Sequence, residues 1–482
     1  MRMGRGTFYL MLAEVMFVLS GWIIHISAGY ILGKEHYGDF VILLILLTLY
    51  RLFIQTGVNR AVSKYIAEGP SRARLIRRQA LKLQMIIGLI SAGAIWIAAP
   101  MLARYWQKSA LAGPIRLTAV FLPVFGIYSV YRGSLNGLKL FGREAKISML
   151  YSLIKVVCFF ALIYILGLYG AVGGYLAAII AATVLARMMC PIGGGMGETF
   201  PVLKIVRFAV PVVLFGFIIA LIGHIDMLIA RHLLPADLAE KVSSYYGAAQ
   251  QFARVPYMLL YALSLTLFPN IASSTSIPGG EQVTSQTIRK ALRAGLLIVL
   301  PIACLISAEA NEVISWVYPR IDGGGEALRL LIFGQVFLSF LLILTTILTA
   351  SGRPWLSFLL VGATLAAAIL LNYLLIPIHG ILGAAAATTI ASGSGALLAA
   401  LLVLRYFRVL IAVSSLFKIV TASGVLYGAA FLISAEGFFI PPVFLLLAGG
   451  YLLLLLAFGE IDRADWKMLK SLFRKEKTEP FF

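Results

Sequence analysis

Two arginines lie deep inside apolar stretches of membrane-spanning length. Arg51 falls about eleven residues past Phe40, where its stretch begins, and Arg254 about nine past Tyr245, which at ~1.5 Å rise per helical residue means depths of roughly 16 and 14 Å. A bilayer's hydrocarbon is about 30 Å thick, so both sit toward its middle. Arginine cannot shed its charge, and placing it there costs at least about 2.5–3.5 kcal/mol. A guanidinium offers five fixed donors that match phosphate oxygens bidentately. Two such groups suit a water-lined cavity that holds an anion.

Their neighbours extend the chemistry. At 100° per residue, Thr48, Arg51, Gln55 and Asn59 share one arc of the second apolar helix, and Gln250, Arg254, Tyr257, Tyr261 and Ser264 share one of the eighth. The tyrosine rings suit stacking on sugar faces. The competing role for the neutral polar groups is bonding between helices, at roughly 0.6–2 kcal/mol each. No acid lies one turn from either arginine on its own helix. Lys155 is a further candidate for substrate binding. Arg60 and Arg132 lie close enough to the membrane surface to snorkel, so they serve either as interface anchors or at the mouth of a cavity. Among the acids, Glu14 (with His25 on its face) and Asp226 (next to His224) are candidates for carrying protons or Na⁺, or for salt bridges to the basic residues opposite.

The elements that must position these groups are apolar helices. Of 482 residues 61% are hydrophobic and 12% charged, which excludes an ordinary soluble domain. Fourteen stretches have spanning length, near 8–32, 40–62, 83–103, 116–137, 147–168, 171–190, 208–232, 245–270, 291–315, 327–350, 355–376, 381–404, 411–434 and 441–459. The first is too long for a signal peptide and is expected to be retained. Loops are too short to house a nucleotide-binding or catalytic domain, and no GxxxxGK[ST] loop occurs. Cys158, Cys190 and Cys304 lie in or at the ends of spans without metal-ligand spacing, so no metal, cofactor or disulfide framework is expected.

A net charge of +20 invites a nucleic-acid partner, but its distribution argues otherwise. With an even number of spans both termini share one side. Assigning that side as cytoplasmic places most of the Lys and Arg there, including the cluster Lys64–Lys82 and the tail Arg463–Lys477. This is the positive-inside pattern, with attraction to anionic headgroups added. The expectation is a multi-pass protein of the cell membrane with both termini cytoplasmic.

The chain also repeats. Gly142-Arg143 matches Gly352-Arg353 and the run from Gly170 matches that from Gly380, both offset by 210; Tyr37-Gly38 matches Tyr246-Gly247, offset by 209. The expected architecture is all-α, with two six-helix lobes related by a two-fold axis along the membrane normal. The lobes span 1–190 and 208–408, joined by a cytoplasmic connector at 191–207 and followed by accessory helices at 409–459 and a basic tail at 460–482. Equivalent helices then face one another across a central cavity, and rocking of the lobes gives alternating access. One chain supplies both lobes, so a monomer suffices.

Several segments resemble a known family. Leu32–Phe40 (LGKEHYGDF), Gly57–Ala67 (GVNRAVSKYIA), Gly133–Gly142 (GSLNGLKLFG), Asp226 in HIDMLIA, and Tyr246–Pro269 ending in Leu-Phe-Pro are similar to polysaccharide-type lipid flippases, O-antigen flippases among them, of the multidrug/oligosaccharidyl-lipid/polysaccharide (MOP) exporter superfamily. The resemblance implies twelve core helices plus two accessory ones, and export of a lipid-diphosphate-linked glycan whose headgroup crosses a cationic cavity while the lipid tail stays in the bilayer. Basic residues on the first, second and eighth helices line that cavity in the family. Arg51 and Arg254 fit, whereas the first helix here offers only His25 and Glu14. The Asp-Ala-Phe signature of lipid II flippases is replaced by Glu35-His-Tyr-Gly38, which favours another glycan precursor. The alternatives are an H⁺- or Na⁺-coupled efflux antiporter for organic cations, which calls for an acidic cavity, and a membrane-embedded glycan polymerase or ligase, which calls for a large external loop.

Overall fold

A computed structural model describes residues 2–191, 200–276, 279–321 and 323–460. The cytoplasmic connector expected at 191–207 falls partly, and the tail at 460–482 almost wholly, outside them. Helices in chain order are α1 (Arg2–Glu68), α2 (Ala73–Tyr105), α3 (Ala112–Gly137), α4 (Phe141–Met189), α5 (Val202–Ile222), α6 (Ile225–Leu233), α7 (Ala236–Ala253), α8 (Val255–Ser276), α9 (Glu281–Ala308), α10 (Ala310–Val317), α11 (Gly325–Ala350), α12 (Pro354–Phe407), α13 (Val413–Ile433) and α14 (Ile440–Ala457). No strand occurs among the described residues.

Three of these rods are hairpins. At ~1.5 Å per residue, α1 would run to about 100 Å if straight, three times the hydrocarbon thickness. It turns at Gly33 (φ 68°), α4 at Gly167 (φ 53°, ψ −127°) and α12 at Gly380 (φ 56°, ψ −131°). A positive φ is cheap only for glycine. Among the described residues, eleven helices are long and apolar enough to cross a membrane. Counting α4 and α12 twice and adding the interrupted α7–α8 rod gives the expected fourteen crossings.

The repeat is present in the backbone, in a register three residues from the one the letters suggest. The turn after α3 bonds Lys139 N to Asn136 O and Leu140 N to Leu135 O. The turn after α11 bonds Gly352 N to Thr349 O and Arg353 N to Leu348 O. Lys139 (φ 57°) therefore matches Gly352 (φ 85°), Gly167 matches Gly380, and Gly170 matches Gly383. In the last pair an added Cβ would lie 1.9 Å from Leu162 O or 2.2 Å from Leu375 O, each five residues before its hairpin glycine. Lettering misleads here because Gly-x-x-Gly occurs twice in Gly167–Gly173, and because Lys139 takes a glycine's conformation without being one.

The chain forms two compact units. The first comprises Met1–Gln251, Val317–Gly324 and Val361–Ala391; the second comprises Phe252–Trp316, Gly325–Leu360 and Ser392–Phe482. In the first, Val58, Val62 and Ile66 of α1 bury against Ile76 and Ala80 of α2, Val130 of α3, and Ile205 and Ala209 of α5. In the second, α13 and α14 close over α9 through Leu305, Ile419, Leu426, Leu447 and Tyr451. Arg293 of α9 reinforces this by donating to the Glu460 carboxylate at 2.8 Å.

Candidate functional site

In the first unit the hairpins of α1 and α4 bring two cations onto one aromatic ring. The Arg51 guanidinium carbon lies 4.9 Å from the Phe17 ring centroid, and Lys155 Nζ lies 4.6 Å from it. Lys155 also stands 5.8 Å from the Tyr151 ring and 5.5 Å from that of Tyr175. Folding at Gly33 places Phe17 beside Arg51, and folding at Gly167 places Tyr175 beside Lys155. Tyr151 and Lys155 are one helical turn apart on α4 and share a face. Tyr151 stacks on Phe17 (6.2 Å between centroids) and meets Tyr128 of α3 (6.0 Å).

Lys155 is only 2% exposed. Among the described residues, neither it nor Arg51 is in an ion pair. Ring quadrupoles give each cation about 0.5–2 kcal/mol. Two like charges about 10 Å apart or closer repel by a comparable amount at an effective dielectric near 20. An anion between them would remove that repulsion, so the cluster has the charge and the aromatic walls to receive one.

The other predicted cations are placed differently. Arg132 of α3 is neutralised: Nε donates to Glu144 Oε1 at 2.9 Å and Nη2 to Glu14 Oε1 at 3.0 Å. Asn136 Nδ2 donates to the second Glu144 oxygen at 3.0 Å. At the matching positions of the second half the chain has Thr345, Thr349 and Ser357, where hydroxyls replace the charges: Thr349 donates to Ser357 Oγ at 2.9 Å, and Ser357 to Thr345 O at 2.8 Å. Arg60 is exposed. Asn59 lies against Gly133, whose missing Cβ would stand 2.6 Å from its carbonyl oxygen, so its backbone takes part in close helix contact. The Gln55 side chain lies outside the described residues.

Asp226 is fully buried in the first turn of α6, after the break at Gly223-His224 that separates α5 from α6. Its Oδ1 accepts from Met227 N at 2.7 Å and Gln250 Nε2 at 3.0 Å, and its Oδ2 from Tyr246 OH at 2.6 Å and Thr388 Oγ1 at 3.0 Å. Gln250, expected on a substrate-facing stripe, is thus drawn to the predicted ion-coupling acid. The four donors named here are neutral, and a buried carboxylate so held can exchange a proton or a small cation. His25 sits elsewhere in the same unit. Its Nδ1 lies 3.2 Å from Tyr37 OH and its Nε2 2.8 Å from Gln251 Nε2, and Tyr37 OH donates onward to Tyr318 OH at 3.4 Å.

In the second unit, Tyr257 and Tyr261 stack with centroids 6.3 Å apart. Arg254 occupies the junction between α7 and α8 rather than the interior of one rod. Pro256 explains the break, because it lacks the N–H that would bond Phe252 O and its ring crowds that carbonyl. The continuous-helix arc drawn through Gln250 and Tyr257 is therefore interrupted at Arg254.

Sequence reasoning missed Phe17, Tyr151, Tyr175 and Thr388. Tyr151 carries a signal, its one-turn spacing from Lys155. The others are brought in by hairpins or by contacts between distant segments that no local pattern reports.

An uncharacterized membrane protein of Methanocaldococcus jannaschii is 23% identical over 424 residues, covering 84% of this chain and 99% of its own length. The lipid II flippase MurJ of Bacillus subtilis is 22% identical over 378 residues, 67% of this chain and 66% of its own. Among solved structures, lipid II flippase MurJ in an inward closed conformation superimposes with a TM-score of 0.73 at 14% identity, covering 96% of this chain and 100% of that one. An inward-facing multidrug resistance MATE family transporter of the MOP superfamily gives 0.67 at 15% identity, covering 81% of this chain and 94% of that one. The fold is therefore the one these MOP proteins share. The family described as "Polysaccharide biosynthesis protein" matches residues 30–320, more than half the chain, and this multi-pass membrane protein belongs to it.

Proposed function

We propose that the chain is a flippase for a lipid-diphosphate-linked glycan, moving it from the cytoplasmic to the outer leaflet by alternating access. The observation that carries this reading is the pair Arg51 and Lys155 on the Phe17 ring, two cations without a carboxylate partner among the described residues, set among aromatic rings within the apolar helices. A diphosphate supplies the missing charge, and Tyr151 and Tyr175 supply ring faces for the first sugar. Arg254, with Tyr257 and Tyr261, is assigned to substrate binding within the second unit. The lipid tail stays in the bilayer, and transport needs no covalent chemistry. Asp226 is assigned to coupling with H⁺ or Na⁺, since its occupancy by either changes the charge that the donors around it face. An organic-cation antiporter fits less well, because the charge gathered on the Phe17 ring is positive.

The test is transport of a polyprenyl-diphosphate-linked N-acetylglucosamine in proteoliposomes. Arg51→Ala and Lys155→Ala are each expected to slow it at least about tenfold, the cost of about 1.4 kcal/mol in the barrier. Lys155→Arg keeps the charge and should retain most of the rate. Parent-like transport by both alanine variants would overturn the pocket assignment.

A further inference from the structure

A second charged cluster in the first unit joins elements of both sequence halves, through residues other than Arg51 and Lys155. Asp39, at the start of the second span in α1, accepts from Arg231 Nη2 of α6 at 2.9 Å and from Lys108 Nζ at 2.5 Å. Lys108 also reaches Glu240 of α7 at 2.5 Å, and Glu240 lies 3.9 Å from Arg231. Asp39 and Arg231 are each 1% exposed. Two carboxylates and two cations balance, yet Nε and Nη1 of Arg231 have no partner among the described residues. Desolvating them has a cost that this arrangement leaves uncompensated.

The turn carrying Lys108 makes further contacts with the same helix end. Gln107, at a left-handed φ of 55°, donates to the terminal carbonyls of His232 (2.8 Å) and Leu234 (3.1 Å). These are groups a helix end leaves unsatisfied. The His232 ring lies flat on Tyr105, with centroids 3.7 Å apart and 7° between planes. Ser244 of α7 accepts from Gly38 N at 2.9 Å and donates to Lys34 O, closing the gap between the two spans of α1.

Beneath this cluster the backbones cross with no room to spare. A Cβ on Gly38 would stand 2.7 Å from Glu240 O and 2.9 Å from Ser244 N, and one on Gly247 would stand 2.7 Å from Val41 Cγ2. Gly38 and Gly247 each belong to a Tyr-Gly pair, so two like dipeptides mark the two close approaches here.

We propose that this crossing and its four-charge cluster form a latch that closes the outward end of the transporter and must part for the substrate to leave. The proposal rests on the orientation and transport reading above. Its physics is that of a buried ion pair: intact it is self-consistent, but losing one partner strands the other charge in a low-dielectric site. Water entry relieves that penalty most cheaply, and opening admits water. The unsatisfied donors of Arg231 and the left-handed Gln107 are costs that opening releases. The latch is therefore bistable rather than a permanent weld.

The test starts from a variant with Cys158, Cys190 and Cys304 replaced by alanine. Ser243→Cys, 1% exposed at the crossing, is labelled from outside with a membrane-impermeant thiol reagent. Arg231→Met is expected to speed labelling at least about tenfold, through a population shift toward the open end. The double variant Asp39→Asn/Arg231→Met leaves Lys108 paired with Glu240 and should return the rate to within about threefold of the parent. Unchanged labelling in Arg231→Met, or equally fast labelling in the double variant, would overturn the latch. A second arm uses Val41→Cys/Gly247→Cys. A Cβ at 247 would lie 3.3 Å from Val41 Cβ, close to the roughly 3.5–4.5 Å of a disulfide. Oxidation should cross-link this pair and stop transport of the polyprenyl-diphosphate-linked sugar, and reduction should restore it. Failure to cross-link, or transport by the cross-linked carrier, would also refute the latch. If the parent shows the labelling pattern but moves no such lipid, the flippase reading fails while the latch stands.

Discussion

At the scale of single residues, what decides a charged group's role is whether the chain supplies a counter-charge. Arg132 and Arg51 are both arginines in apolar stretches, at different depths, and of the two only Arg132 is met by acids. The contrast between its two partners is testable. Glu144 is 5% exposed and Glu14 62% exposed. Glu144→Gln, which strands a largely buried guanidinium, is expected to lower stability by about 3 kcal/mol. Glu14→Gln should change it by less than about 1 kcal/mol, since exposed pairs are screened by water. Thermal unfolding of the detergent-solubilised protein measures both, and equal losses would show that Arg132 depends on neither in particular. Arg51 and Lys155 were legible in the sequence because a charge in an apolar run stands out without tertiary information. Phe17 and Tyr175 were not, because aromatic side chains are common throughout the spans and only the hairpins select which ones face a cation.

At the scale of elements, the number of helices and their order follow from the lengths of the apolar stretches, whereas the interruptions do not. The break at Arg254 is readable from Pro256, yet an 18- to 20-residue apolar window averages over it. The break at Gly223-His224, which gives Asp226 a place in the first turn of α6, has no proline to announce it. The repeat was visible but misaligned, and its structural register makes a distinguishing prediction. Gly170→Ala puts a methyl within 1.9 Å of Leu162 O, whereas Gly173→Ala meets nothing nearer than Leu162 Cδ1 at 3.7 Å. The first variant should lose monodisperse protein on size-exclusion chromatography and the second should behave as the parent. Equal behaviour would mean that the α4 hairpin does not close as described.

At the scale of the whole molecule, the expected orientation rests on how the charge of +20 is distributed along the chain. Positive residues retained on one side set the direction in which helices insert. Orientation can be read directly with single cysteines at two exposed positions, Ser71 and Ser109, in the cysteine-free background. Ser109→Cys is expected to react with impermeant reagent in intact cells, and Ser71→Cys only after permeabilisation. The reverse pattern would invert the topology and with it the direction of transport. Family membership was within reach of the sequence because its short loops and helix entries lie in continuous segments. The Asp226 cage was half legible: Asp226 and Gln250 were singled out for separate roles, and Thr388 lies far along the chain.

The glycine hairpins also bear on how such a chain is built. In α4 and α12 the turn glycine and the glycine three residues later let the returning strand of helix settle onto a carbonyl only five residues before the bend. Nearly all the contacts that close each hairpin are therefore local, and local contacts form fast. A ribosome releasing the chain at about 5–20 residues per second would have each pair of crossings ready as a finished unit before the next emerges. Assembly then reduces to docking preformed pairs, and the long-range bonds, such as those from Asp39 to Arg231 and from Asp226 to Thr388, are left as the last steps of maturation.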